Sequence, residues 1–262
     1  AGPMTGSRVT VNPLVHCGAC DACLRGRENL CPHRQIISMP PREGAFAEYV
    51  AMPPANLVAI PEGVSTARAA LAEPLACGWH AVRLGAGQLD RPLAEARCLV
   101  FGGGAIGLGA ALVLAARGAG EIWLAEPHAG RRAIAAAAGP FHAIDPASAL
   151  PEGVDLVIDG VGIEATRAAA SAAVRPGGAI LHVGLGSGTG GLDIRRMTLQ
   201  EITFTGTYTY TPADFRQTAA AIFDGSLGPL DWPEARPLAD GAAAFDAIAA
   251  GQVAAPKLLL VP

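Results

Sequence analysis

The sequence predicts an α/β fold: a doubly wound parallel sheet with helices on both faces, joined to a smaller, barrel-like antiparallel unit that carries a cysteine lobe. Three observations lead there. From Arg97 onward the chain repeats strand, glycine turn, helix, strand, the alternation of a parallel sheet. The first 60 residues instead run in short apolar stretches broken by proline and glycine, an antiparallel rhythm. Within them lie four cysteines in HCGACDACLRGRENLC, spaced C-x2-C-x2-C-x7-C.

Taken in order, RVTVNPLV alternates and ends at the cysteines, and FAEYVAM (46–52) has a β flavour before Pro53 and Pro54. Residues 57–60 form another apolar run, closed by the turn signal PEGVS. Residues 67–83 carry a helical pattern interrupted by Glu73-Pro74. Strands are then expected over 98–101, 121–125, 143–144, 155–158, 179–183 and 202–207, with helices over 105–116, 130–138 and 164–174. The tail reads as helices over 212–223 and 242–249 and a last strand over 257–261. The chain contains no 20–50-residue repeat and no low-complexity linker.

Cys17, Cys20, Cys23 and Cys31 fall within 15 residues, and four thiolates close on Zn²⁺ as a tetrahedron with no open position. Such a metal is structural. A disulfide framework is disfavoured, because the cysteines are clustered and no secretory segment is visible. The iron–sulfur run C-x2-C-x2-C-x3-C-P has a shorter last gap.

The 262 residues are 51% hydrophobic and 16% charged, which fits a large buried core and argues against disorder. The net charge of −4 shows no basic stripe, so no nucleic-acid partner is expected. Residues 98–116 are free of charge for 19 positions, long enough to span a bilayer. Five glycines interrupt that stretch, and Arg97 and Arg117 flank it symmetrically, so no membrane span is expected. A cytoplasmic location is expected.

Those glycines carry a motif. Gly102, Gly104 and Gly107 form G-x-G-x-x-G between a strand and a helix, and Glu126 lies 19 residues beyond Gly107 at the end of the next strand. The first glycine permits the turn, the second lets the backbone approach a pyrophosphate, and the third packs helix on strand. The helix N-terminus then faces the phosphates. Glu126 suits the ribose hydroxyls of NAD and opposes a 2′-phosphate, so NADP is disfavoured; Arg131 and Arg132 stand close enough to matter. This is a Rossmann-type dinucleotide site.

Glu73, in LAEPLACGWHA, has two readings. Glu in an apolar stretch needs a partner or a metal, yet Glu and Pro are also ordinary at a helix start. Cys77 lies one helical turn on. His16, His33 and His80 show no ligand-like spacing.

The cysteine lobe, Glu73-Pro74, the glycine motif and Glu126, in this order, resemble the zinc-dependent medium-chain alcohol and polyol dehydrogenases, in the sorbitol- and threonine-dehydrogenase-like branch. REGAFAEYV, VDLVIDGVGIEATRAAASAAVRPGGAILHVGL, ITFTGTYTYTPADF and PKLLLVP extend the likeness to the end. The resemblance implies a partial GroES-like β-barrel catalytic domain over 1–75, with the structural zinc lobe at 16–32. It implies a Rossmann NAD-binding domain over 76–208 and a return to the catalytic domain over 209–262. It assigns Cys17, Cys20, Cys23 and Cys31 to structural zinc. Glu73 takes the third protein position at a catalytic zinc, directly or through water. Cys77, Ile106, Glu126 and Arg131, with Val183, Gly184, Leu185, Thr207, Tyr208 and Thr209, fall at cofactor contacts.

The activity implied is hydride transfer from a secondary alcohol, a polyol or sugar alcohol, to NAD, with zinc polarising the alcohol oxygen. Oxidation of threonine or another hydroxy compound, and a catalytically silent NAD-binding or interaction protein, are the alternatives. The family's G-x-C-G-x-D and G-H-E segments, which supply two further catalytic ligands, do not occur here; AGPMTGSRVTVNP resembles the strand that follows them, so a missing N-terminal part is expected. The sixth strand, ITFTGTY, is expected to pair edge to edge in a homodimer or homotetramer.

Overall fold

The computed structural model describes residues 4–262, so residues 1–3, at the start of the expected first unit, lie outside the described residues. The chain opens with β1 (Val9–Val11) and β2 (Leu14–Val15), followed by a short helix α1 (Asp21–Leu24), β3 (Gln35–Ile36) and β4 (Leu57–Ala59). β1 pairs antiparallel with β4, and β2 with β3. The barrel-like unit is thus built from two-stranded ladders. Asn56 ties them together, its Nδ2 donating to the carbonyls of Asn12 and Leu14 at 2.8 Å each.

Residues 46–52 are irregular, contrary to the sequence expectation of a strand. Phe46 and Tyr49 are 67% and 91% exposed. No described strand pairs with this segment, so its alternating pattern has no ladder to join.

Helices α2 (Thr66–Ala69) and α3 (Ala72–Ala86) follow. The break between them falls at residues 70–71, ahead of Glu73-Pro74, where the sequence placed it. Leu75 N–H makes the first bond of α3, to Leu71 C=O. Pro74 therefore sits where a helix has no use for an N–H, and the proline starts α3 instead of interrupting it.

The main sheet contains β5 (Arg97–Phe101), β6 (Glu121–Ala125), β7 (His142–Ile144), β8 (Val154–Asp159), β9 (Val174–His182) and β10 (Thr203–Gly206). All pairings are parallel and the order is β10-β9-β8-β5-β6-β7. This is the doubly wound order with its switch point between β5 and β8. The intervening helices are α4 (Ala105–Ala116), α5 (Ala129–Ala138), α6 (Glu164–Ala173) and α7 (Ile194–Leu199).

Side chains alternate across this sheet. Cys98, Val100, Leu156, Ile158 and Leu181 enter one core with α3 and α4, while Leu99, Phe101, Val157 and Ile180 enter the opposite core beside Ala170 and Met197. Each such large apolar side chain contributes about 1.5–3 kcal/mol on burial. α4 is buried along most of its length, which accounts for the uncharged stretch as strand, turn and core helix. Among the described residues no helix is long and apolar enough to cross a membrane. α3 crosses α4 closely: a Cβ on Gly78 would lie 2.6 Å from Ala110 N.

The chain closes with α8 (Pro212–Phe223), β11 (Glu234–Pro237), α9 (Gly241–Ala249) and β12 (Leu258–Val261). β11, which the sequence reading did not include, pairs parallel with β12. Its EARP sequence carries no apolar alternation and ends in proline, so only the tertiary pairing identifies it.

Candidate cofactor and metal sites

The carboxyl ends of four sheet strands gather the predicted cofactor residues. Gly102, Gly104 and Gly107 follow β5, Glu126 follows β6, Val183, Gly184 and Leu185 follow β9, and Thr207, Tyr208 and Thr209 follow β10. Open parallel sheets bind ligands at this edge, beside the switch point.

Gly102 has φ +96° and its N–H donates to Ala125 C=O at 2.9 Å. A Cβ on Gly107 would fall 1.9 Å from Gly102 O, so that turn admits no side chain. Gly104, the residue preceding α4, opens on space: a Cβ there meets nothing within 4 Å. That space, at a helix N-terminus, fits a diphosphate. Ile106 stands partly exposed on the first turn of α4.

Glu126 is 4% exposed. Its Oε2 accepts Gly103 N–H at 2.7 Å and its Oε1 accepts His128 N–H at 2.8 Å. The carboxylate therefore also holds the glycine turn in place. Arg131 Nη1 lies 3.9 Å from Glu126 Oε2, and Arg131 Nη2 donates to Val253 C=O at 3.0 Å. Arg132 donates to Glu126 C=O at 2.8 Å and pairs with Asp145 at 3.3 Å. Arg132 is thus engaged by the protein, whereas Arg131 keeps a buried Nε without a hydrogen-bond partner.

A cavity of about 400 Å³ lies here, lined by Gly102, Glu126, Arg131, Leu150, Val161 and Thr166 among others. A second, of about 640 Å³, is lined by Phe46, Glu73, Gly104, Arg131, Phe245 and Lys257. Arg131 lines both, so the clefts adjoin along the glycine turn.

Val183 and Gly184 N–H both donate to Asp159 C=O at 3.0 Å, and Thr207 N–H donates to His182 C=O at 2.9 Å. Leu185 is 90% exposed. The Thr207 and Thr209 hydroxyls are buried without a hydrogen-bond partner, which is unusual for buried polar atoms. They fit a ligand with polar edges, such as a nicotinamide carboxamide.

Glu73, in the first turn of α3, accepts the Tyr210 hydroxyl at 3.0 Å. Burial, then the Glu73 charge, push the Cys77 thiol up to about 12, so Cys77 is a neutral packing group. Among the described residues Glu73 belongs to no cluster of three metal-ligating groups; the metal position implied for it is not completed by the residues described. His80 is structural, its Nδ1 2.7 Å from Asp214 Oδ2.

The cysteine lobe does form such a cluster. The four Sγ atoms lie within 4.8 Å of one another. Cys20–Cys23 and Cys17–Cys31 are 3.5 Å apart and Cys17–Cys23 is 3.9 Å. A Zn–S bond of ~2.3 Å implies S–S edges of ~3.8 Å in a tetrahedron, so the donor set fits zinc. Backbone N–H groups of Ala19 and Cys20 lower Cys17 to about 6, whereas burial raises Cys23 to about 12, so the fit to zinc rests on the Sγ geometry.

Two family models match this chain: a zinc-binding dehydrogenase model over residues 105–224 and an alcohol dehydrogenase GroES-like domain over residues 2–62. The chain belongs to the zinc-dependent medium-chain alcohol and polyol dehydrogenases. It is 37% identical to a sorbitol dehydrogenase from Bacillus subtilis over 192 residues, covering 70% of this chain and 53% of the relative. It is 31% identical to an L-galactonate-5-dehydrogenase from Escherichia coli over 235 residues, covering 85% and 66%. The chain thus spans between about half and two thirds of these relatives. An alcohol dehydrogenase from Thermus sp. ATN1 superposes with a TM-score of 0.86 at 26% identity, covering 98% of this chain and 79% of that one.

For this member of the family, sequence reasoning missed three site residues. Tyr210 holds Glu73, Lys257 lines the cavity beside Gly104, and Asn29 reaches Tyr208. Lys257 is the chain's single lysine, and that rarity was the one signal available for it.

Proposed function

We propose that this polypeptide acts in NAD-dependent oxidation of a secondary alcohol, a polyol or sugar alcohol, giving the ketone, NADH and a proton. The observation that carries the reading is the alignment of residues 102–107, Glu126, 183–185 and 207–209 along one sheet edge, with Glu73 on the adjoining cleft. The glycine turn and the α4 N-terminus receive the diphosphate, with Arg131 and Lys257 as the cations beside Gly104. Glu126 receives the ribose hydroxyls. A 2′-phosphate would meet that carboxylate, and Arg132 is already bonded to Glu126 C=O and Asp145, so NAD is preferred over NADP. Residues 183–185 and 207–209, with Ile106 and Cys77, surround the nicotinamide. Glu73, oriented by Tyr210, faces the alcohol.

Zinc in the cysteine lobe is structural, since four thiolates leave no position for substrate. Residues 1–75 and 209–262 form the catalytic domain and 76–208 the cofactor domain. The exposed β10 edge pairs copies of the chain into a homodimer or homotetramer. Six unpaired cysteines suit a reducing cytoplasm.

The test is NADH formation by the purified protein on sorbitol, xylitol, galactitol and threonine. Turnover on a polyol supports the proposal and preference for threonine redirects it. Bound NAD without turnover on any alcohol would overturn it in favour of a silent binding protein.

A further inference from the structure

We propose that Asn29 and Arg34, both in the cysteine lobe, are positioning residues for the nicotinamide side of the cofactor site. The proposal rests on the cofactor reading above.

Asn29 is 2% exposed, in the single helical turn that leads into Cys31. Its Nδ2 donates to Tyr208 C=O at 2.7 Å, across 179 positions of sequence. Arg34 lies on the other side of the same cysteine. Its guanidinium carbon sits 4.8 Å from the centre of the Tyr208 ring, and its Nη1 donates to Cys31 C=O at 3.0 Å. The lobe therefore grips Tyr208 twice, by its backbone and by its ring.

What it grips is a segment that would not hold its shape alone. Residues 207–209 lie beyond the end of β10, with Thr207 N–H making a last bond to His182 C=O of β9. Thr209 has φ +46°, a left-handed conformation that β-branched residues avoid and that costs about 1–3 kcal/mol. The Thr207 and Thr209 hydroxyls are buried and unpartnered. A strained turn with two unsatisfied hydroxyls on either side of a clamped residue is the arrangement of a preorganised ligand contact. The tetrad fixes Cys31, Cys31 C=O holds Arg34, the turn that leads into Cys31 carries Asn29, and Asn29 and Arg34 hold Tyr208. The lobe thereby acts on the cofactor without touching it.

The test compares NADH with ADP-ribose, which lacks the nicotinamide, on zinc-replete protein. Asn29→Asp keeps the shape but replaces the donor by an acceptor facing a carbonyl. Expected is a loss of about tenfold in NADH affinity, or ~1.4 kcal/mol, with ADP-ribose affinity held within about twofold and zinc retained. Unchanged NADH affinity, or equal losses for both ligands, would overturn the proposal. Should Asn29→Asp shed zinc, Arg34→Met repeats the test from the ring side, with a NADH loss of about three- to fivefold expected for a single cation–π contact. Loss of zinc in both variants would make the two residues supports of the lobe alone and overturn the proposal. Wild-type protein that binds neither ligand would instead refute the cofactor reading itself.

Discussion

The Tyr210 hydroxyl donates to Glu73 Oε1 across 3.0 Å, joining residues 137 positions apart. Tyr210 is 1% exposed, and burial followed by the Glu73 charge raises its phenol well above the ordinary range. It is therefore a fixed, neutral donor. The two sequence readings of Glu73 are compatible: it sits in the first turn of α3 and lines the cleft beside Gly104. Tyr210→Phe should lower stability by about 0.5–1.5 kcal/mol, the net worth of a hydrogen bond to a half-buried carboxylate, measured by denaturant unfolding. An unchanged midpoint would show that the bond contributes nothing.

Glu126 serves the glycine turn as well as the proposed ribose contact, through Gly103 N–H. Glu126→Ala should therefore weaken NAD binding by at least about tenfold, the loss expected for one or two charge-assisted hydrogen bonds, and should narrow the gap between NAD and NADP. Calorimetric titration with both cofactors reads this directly. Full retention of NAD affinity would remove Glu126 from the site.

Cys20→Ser should release zinc from the lobe, because three thiolates and a hydroxyl close the tetrahedron poorly. Metal content per chain should fall to near zero and the melting temperature should drop with it. Through Asn29 and Tyr208, NADH affinity should fall too. Unchanged zinc content would contradict the tetrad.

Asp214 supports a buried cluster between α3 and α8. Burial alone would raise its carboxyl, but His80, Arg83 and Thr211 outweigh this and lower it well below the ordinary value of 3.8. A lowered folded-state value gives stability that is present above the unfolded value and is lost as pH falls through the folded one. Asp214→Asn should cost about 2–4 kcal/mol near neutrality. Its difference from wild type should shrink as pH drops below 3.8. A gap independent of pH would show that the carboxylate charge is not the source of the stability.

The parts legible in the sequence are those whose partners are near in the chain. The cysteine tetrad closes within 15 residues, and Gly102 meets Gly107 inside one turn. The parallel, doubly wound character of the sheet was legible because each βα unit is local, while the strand order came from the structure. The contacts that were not legible span most of the chain: Tyr210 to Glu73, Asn29 to Tyr208, and Asp214 to His80, across 137, 179 and 134 positions. No periodicity or spacing encodes such pairs. Residues 46–52 show the reverse error, in which a strand-like pattern has no ladder to join among the described residues.

The most direct test of the central claim is titration of the zinc-replete protein with NAD and NADP, followed by heat of binding. The carboxylate at Glu126 and the engaged Arg132 beside it predict saturable binding of NAD and NADP binding weaker by about tenfold or more, as a charge repelled at the ribose requires. Equal or tighter binding of NADP, or no binding of NAD, would contradict the account.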